Sequence, residues 1–246
     1  MRTRLCSPPV IHLPIQLLIQ NNLTHDSTDF LGQPERPTWP WRVLTAHEIT
    51  CIRGQRALFT GLNLTIDAGE ILHIEGSNGS GKTSLLRILC GTTQPDSGTV
   101  LWRSQDIRTC RSTYYEHLAY VGHSNGIKLE LSPAENLSCL AAVKGFAIDF
   151  QIDEVLAQIG LSPVRDVPCI HLSEGQRRRV AMSWLFITRA SIWILDEPLT
   201  AIDQDGIDLA RFRFSRHLDN GGLIVLTGHQ HLQFDGRKIK TLHLSA

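Results

Sequence analysis

The chain has 246 residues, and its 24 Lys+Arg are balanced by 24 Asp+Glu at a sequence pI near 7.2. That neutrality excludes a polybasic binder of nucleic acid and an acidic tail, both of which work through a large excess of one sign. Hydrophobic residues make up 42% beside 19 glycines, a globular composition at a length that suits one domain with a small subdomain. No stretch reaches the ~18 uninterrupted apolar residues of a membrane-spanning helix, so any work at a membrane goes through a partner. The six cysteines, Cys6, Cys51, Cys90, Cys110, Cys139 and Cys169, form no C-x-x-C pair, which gives neither a metal cage nor a redox motif and suits reduced thiols.

Residues 1–43 carry Pro8, Pro9, Pro14, Pro34, Pro37 and Pro40, more than half of the eleven prolines, and read as an extended N-terminal arm. Met1 and Met182 are the only methionines, so a misplaced start is the favoured explanation, with the physiological start near Val43 or Leu44. A targeting peptide is disfavoured, because Pro14 and Gln16 interrupt the apolar patch behind Arg2 and Arg4. From residue 44 to 246 the pattern becomes strand, turn and helix. Ala57 to Ile66 alternates apolar and polar residues and closes at Asp67-Ala-Gly69, and Ile71 to Ile74 is a short apolar strand ending at Glu75. A helix from Lys82 buries Leu85, Leu86, Ile88 and Leu89 and stops at Gly91, and Gly98 to Trp102 is a further strand. Ser132-Pro133-Ala134-Glu135 is a capping box that opens a helix through Leu137, Leu140 and Val143, and a second helix spans Ile152 to Ile159. These form a helical subdomain at about 123–175. Ile192 to Leu195 and Leu223 to Leu226 are wholly apolar runs suited to a sheet covered on both faces, which makes the class α/β.

Gly76-Ser77-Asn78-Gly79-Ser80-Gly81-Lys82-Thr83 fits G-x-x-x-x-G-K-[ST] between a strand and a helix. Its glycines let successive N–H groups turn inward, and the helix start adds its positive end, a nest for nucleotide phosphates such as those of ATP. Lys82 is placed to reach the β- and γ-phosphates, and the Thr83 hydroxyl to act as an oxygen ligand for Mg2+. The strand Ile192 to Leu195 delivers Asp196 and Glu197 to its C-terminal end, where α/β sheets place ligands. Asp196 is then positioned to hold Mg2+ through water, and Glu197 to polarise the attacking water as general base. Leu172-Ser173-Glu174-Gly175-Gln176 precedes this strand and leads into Arg177-Arg178-Arg179. By itself that segment reads as a capped helix with a solvated arginine face.

The L-S-x-G-Q sequence at this distance before an acidic strand end resembles the signature of ATP-binding cassette (ABC) ATPases, over roughly 44–230. The resemblance implies a P-loop NTPase core of ABC-ATPase type with an antiparallel β subdomain and a helical subdomain. It further implies a homodimer in which Ser173, Gly175 and Gln176 of one copy face the γ-phosphate bound by Gly76 to Ser84 of the other. Thr200 to Asp203 resembles the loop through which the copies communicate, and His229 the switch histidine that contacts the γ-phosphate and works with Glu197. Most such cassettes carry Gln where this chain has His123 after Tyr120-Val-Gly. An imidazole accepts a hydrogen bond from water but suits a hard cation less well than an amide oxygen does. The adenine-stacking position falls near Arg53 or Gly54, with Phe59 a second candidate.

Cys51 to Phe59, Ile74 to Arg87, Val121 to Lys128 and Leu226 to Gln230 together resemble the ATP-binding subunits of the heme exporter of bacterial cytochrome c maturation. That family implies an ATPase on the cytoplasmic face of the inner membrane, held there by an integral membrane subunit. Its hydrolysis of ATP drives release of a heme-loaded periplasmic chaperone. Segment 123–170 is the expected contact with the membrane subunit, because it lies beside His123 and could relay the nucleotide state. The rival readings are a cassette of another transporter and a soluble scaffold ATPase.

Overall fold

The computed structural model describes residues 43–143, 145, 151–228 and 239–245. The chain divides into the units Met1–Thr38 and Trp39–Ala246. The proline-rich arm, Val43 apart, and His229 lie outside the described residues.

The first sheet is antiparallel, in the order β2-β1-β4-β5, from β1 (Leu44–Arg53), β2 (Arg56–Ile66), β4 (Ser97–Trp102) and β5 (Gln105–Asp106). The second is parallel throughout, in the order β6-β7-β8-β3-β9, from β3 (Ile71–Gly76), β6 (Leu118–Val121), β7 (Ile192–Leu195), β8 (Leu223–Thr227) and β9 (Ile239–Leu244). Six α-helices and two 3-10 helices (Ser162–Val164 and Cys169–His171) complete the described fold, the α-helices being α1 (Lys82–Leu89), α2 (Arg111–Glu116), α3 (Pro133–Val143), α4 (Gln151–Gln158), α5 (Glu174–Ile187) and α6 (Gln204–Asp219).

Strand alternation assigns the buried apolar residues of the parallel sheet to one of two cores. Leu72, Ile74, Ile192, Ile194, Leu223 and Val225 pack with α1 and the antiparallel sheet. Ile71, Trp193, Leu195, Ile224 and Leu226 face the other way, onto α5 and α6. Both faces are therefore dry, as the apolar runs require. A third core holds Leu137 of α3, Leu156 of α4 and Val180 of α5. The predicted capping box is present: Ser132 N–H donates to Glu135 at 2.8 Å and Glu135 N–H to the Ser132 hydroxyl at 3.3 Å. The buried stripe of α3 is Ala134, Leu137 and Ala141, so Leu140 and Val143 stand outside it.

Trp193 is the largest fully buried side chain, and His217 of α6 stacks on it with ring centroids 3.7 Å apart. Burial, with Arg213 nearby, pushes the His217 imidazole down to about 3 from 6.5. A histidine depressed in this way binds its proton in the unfolded chain first, so its contribution is complete above about pH 6.5 and is lost as pH falls toward 3. Thermal and urea unfolding at pH 7 and pH 5 should show the wild type losing about 2 kcal/mol more than His217→Leu over that interval.

Candidate functional site

The P-loop joins β3 to α1, and its conformation depends on glycine. Gly76 has φ 151, and a Cβ there would lie 2.5 Å from the Leu244 carbonyl oxygen and 2.6 Å from Ser80 Oγ. Gly81 caps α1 in the left-handed region at φ 101, against Leu58 and Phe59 of β2. Lys82 is buried, and its ammonium donates to the Gly76 carbonyl at 2.7 Å and the Ser77 carbonyl at 3.2 Å. Ser77, Asn78 and Gly79 are exposed at the tip. Ser80 Oγ is buried without a protein partner among the described residues, an orphan hydroxyl inside the loop. Ser84 turns to the Cys51 thiol of β1.

Asp196 follows β7 and is 2% exposed. Its carboxylate accepts from the Thr83 hydroxyl at 2.8 Å and from the Thr227 hydroxyl at 2.7 Å. Thr227 also accepts from the Glu197 N–H at 2.9 Å, so one hydroxyl joins both acids to the end of β8. Glu197 has φ 50, a strained backbone for a non-glycine residue. The exposed His123, after β6, brings Nε2 to 3.9 Å from Glu197 Oε2. Lys82, Thr83, Asp196, Glu197 and His123 thus gather where parallel strands end, the position expected for a ligand site in an open α/β sheet.

The signature residues lie at the start of α5. Ser173 caps α5 by accepting from Gln176 N–H at 3.2 Å, and the Gln176 side chain accepts from Ser173 N–H at 2.9 Å. A Cβ on Gly175 would lie 2.7 Å from the Ala201 carbonyl oxygen, so the absent side chain admits the Thr200 to Asp203 loop. Asp203 caps α6 through Gly206 N–H at 3.1 Å and pairs with Arg179. Burial works against ionisation there, and the bonds from Arg179 and Gly206 outweigh it, holding the Asp203 carboxyl below the usual carboxylate range.

The arginine run corrects the sequence reading of a solvated face. Arg177 donates to the Cys169 and Ile170 carbonyls, Arg179 to the Ile159 carbonyl and Asp203, and Arg178 is buried among strand-end carbonyls. The guanidinium forks bond to backbone carbonyls around α5, which holds the arginines against the fold. Of the adenine-stacking candidates, Arg53 is exposed beside the β1–β2 turn, and Phe59 is half-buried with Cδ1 3.4 Å from a Cβ built on Gly81.

A family model described as ABC transporter matches residues 59–200. The chain belongs to the ABC transporter family. It is 46% identical over 203 residues to the "Cytochrome c biogenesis ATP-binding export protein CcmA" of Methylococcus capsulatus, covering 82% of this chain and 98% of that protein. It is 45% identical to the protein of the same name from Escherichia coli, covering 82% and 97%. Among solved structures, a putative ABC transporter ATP-binding protein from Pyrococcus furiosus superposes with TM-score 0.70 at 20% identity, covering 82% of this chain and 96% of that one. A nucleotide-free ATP-binding cassette from an ABC transporter gives TM-score 0.63 at 19% identity, covering 77% and 82%. The expected fold, with its antiparallel and parallel sheets, is the fold found, and this ABC chain is an ATP-binding ATPase coupled to transport.

Sequence reasoning missed two residues that bond to the acidic strand end, Thr227 and Arg178. Thr227 left a trace, as a polar residue closing the apolar run Leu223 to Leu226 beside an acidic strand end. Arg178 left none, because a run of three arginines does not tell which one turns inward. The P-loop geometry carries its own test. Gly76→Ala should leave far-UV circular dichroism near wild type while abolishing binding of a fluorescent ATP analogue, because the added methyl displaces Ser80 and the end of β9.

Proposed function

We propose that the chain is the ATP-hydrolysing subunit of a heme exporter complex in cytochrome c biogenesis, whose hydrolysis of ATP drives release of a heme-loaded periplasmic chaperone. The observation that carries this reading is the 46% identity to a cytochrome c biogenesis ATP-binding export protein along 98% of that protein's length. The chain works on the cytoplasmic face of the bacterial inner membrane, bound to an integral membrane subunit. No helix of the described residues is long and apolar enough to cross a membrane. Among the described residues, four of the six exposed large hydrophobics, Leu129, Leu140, Val143 and Ile170, fall in segment 123–170, which supports that segment as the contact with the subunit.

Two copies close around two ATP molecules, with Ser173, Gly175 and Gln176 of each facing the γ-phosphate on the other's P-loop. The self-capped first turn of α5, exposed at Ser173 and Glu174, supports this, since a helix start favours an anion. The hydroxyl of Thr83 and the carboxylate of Asp196 are hard oxygen donors whose chemistry fits Mg2+, and that ion, when bound, neutralises charge on the β- and γ-phosphates. Lys82 exchanges its loop carbonyls for phosphate oxygens. Glu197 accepts the proton of the attacking water, and His123 beside it orients that water. His229 contacts the γ-phosphate from beyond Gly228.

Glu197→Gln tests the central role. The variant should bind ATP with unchanged affinity, remain with its membrane partner on detergent purification, and release phosphate about 100-fold more slowly. Undiminished turnover removes Glu197 as base, and purification without any integral membrane protein favours a soluble scaffold.

A further inference from the structure

Arg178 sits two residues beyond Gln176 on α5, and its side chain points into the fold at 4% exposure. Each of its five N–H donors has an acceptor. Nη2 donates to the Asp196 and Glu197 carbonyls, both at 2.8 Å, and Nε to the Pro198 carbonyl at 3.3 Å. Nη1 donates to the Gly122 carbonyl at 2.8 Å and to Asn125 Oδ1 at 3.2 Å. The two segments so joined are the turn that carries Glu197 and the turn that carries His123.

We propose that Arg178 is a positioning residue for ATP hydrolysis, holding the strained Glu197 backbone in register with His123 and tying both to the signature end of α5. The proposal rests on Glu197 being the general base. Glu197 at φ 50 is held from both sides, its N–H by Thr227 and its carbonyl by Arg178. That backbone fixes where its side chain starts, because the left-handed conformation persists only where the surroundings over-determine it, and the Thr200 hydroxyl donates to its Oε2 at 3.4 Å. Gly122 and Asn125 flank His123, so the same guanidinium also sets the approach of His123 Nε2 to Glu197 Oε2. Arg177 and Arg179 anchor the same helical turn to Cys169, Ile170, Ile159 and Asp203. A movement of the first turn of α5 on meeting a nucleotide therefore reaches Glu197 through one side chain. Burial of the Arg178 guanidinium lowers its pKa, opposed by the charges of Asp196 and Glu197, and an arginine keeps its proton under such conditions. A lysine cannot replace it, since three donors on one point do not span five acceptors on two segments.

The test uses the full chain with its membrane partner. Arg178→Lys should bind ATP within about twofold of wild type and lose about 10- to 100-fold in kcat, the scale of a small misplacement of a catalytic group. In the Glu197→Gln background the same change should cost less than about twofold, because the group it positions is already absent. Asn125→Ala, which spares four of the five bonds, should lose a few-fold in kcat alone and decides the matter if Arg178→Lys does not fold. Wild-type kcat in both variants, losses that multiply with Glu197→Gln, or a loss in ATP affinity as large as that in kcat would overturn the proposal. Wild-type turnover by Glu197→Gln alone brings down the assignment of the base instead.

Discussion

A carboxylate almost fully removed from water sits at the end of β7, and the rest of the site is arranged around keeping it there. An unpartnered buried carboxylate costs several kcal/mol. Asp196 escapes that cost by accepting one hydroxyl from α1 and another from β8. The strand order supplies both. β8 lies between β7 and β3, so Thr227 stands beside Asp196, and the P-loop leaving β3 returns Thr83 to its other oxygen. Two charge-assisted hydrogen bonds thereby lock three strand ends and one helix start into a fixed relation.

The helix α5 gives that relation its reach. It is buried on several sides because it belongs to two cores, with Val180 in the helical subdomain and Met182, Trp184 and Leu185 against the parallel sheet. Such a helix cannot tilt without disturbing both, since close-packed interiors transmit strain instead of absorbing it. Its first turn carries the signature residues, its second the arginine triplet, and the loop from Thr200 to Asp203 packs on Gly175. A contact made outside the chain at Ser173 is mechanically continuous with the turn that bears Glu197.

Much of this was legible in the sequence, for identifiable reasons. The P-loop, the acidic strand end and the runs Ile192 to Leu195 and Leu223 to Leu226 are encoded by contiguous residues whose local pattern carries the physics. The capping box at Ser132 is equally local. β1 was harder to see, because a bulge with Glu48 at φ 49 breaks its alternation, and Gly98 is what lets β4 pass the His47 and Glu48 carbonyls. The inward turn of Arg178 and the double role of Thr227 depend on partners 18 to 56 residues distant. No local pattern announces such pairings. Ser84 and Gly175 fell in the expected motifs, yet each has an intramolecular neighbour, the Cys51 thiol and the Ala201 carbonyl, that only the folded chain supplies.

The proposed divalent-cation site joins the hydroxyl of Thr83 to the carboxylate of Asp196 and works with bound ATP. Electron paramagnetic resonance of Mn2+, titrated into the ATP-loaded chain, measures that directly. The wild type should give a bound-ion spectrum and Asp196→Asn should lose it, with ATP affinity measured without metal unchanged. An Asp196→Asn chain that binds Mn2+ and ATP together as tightly as the wild type would contradict it.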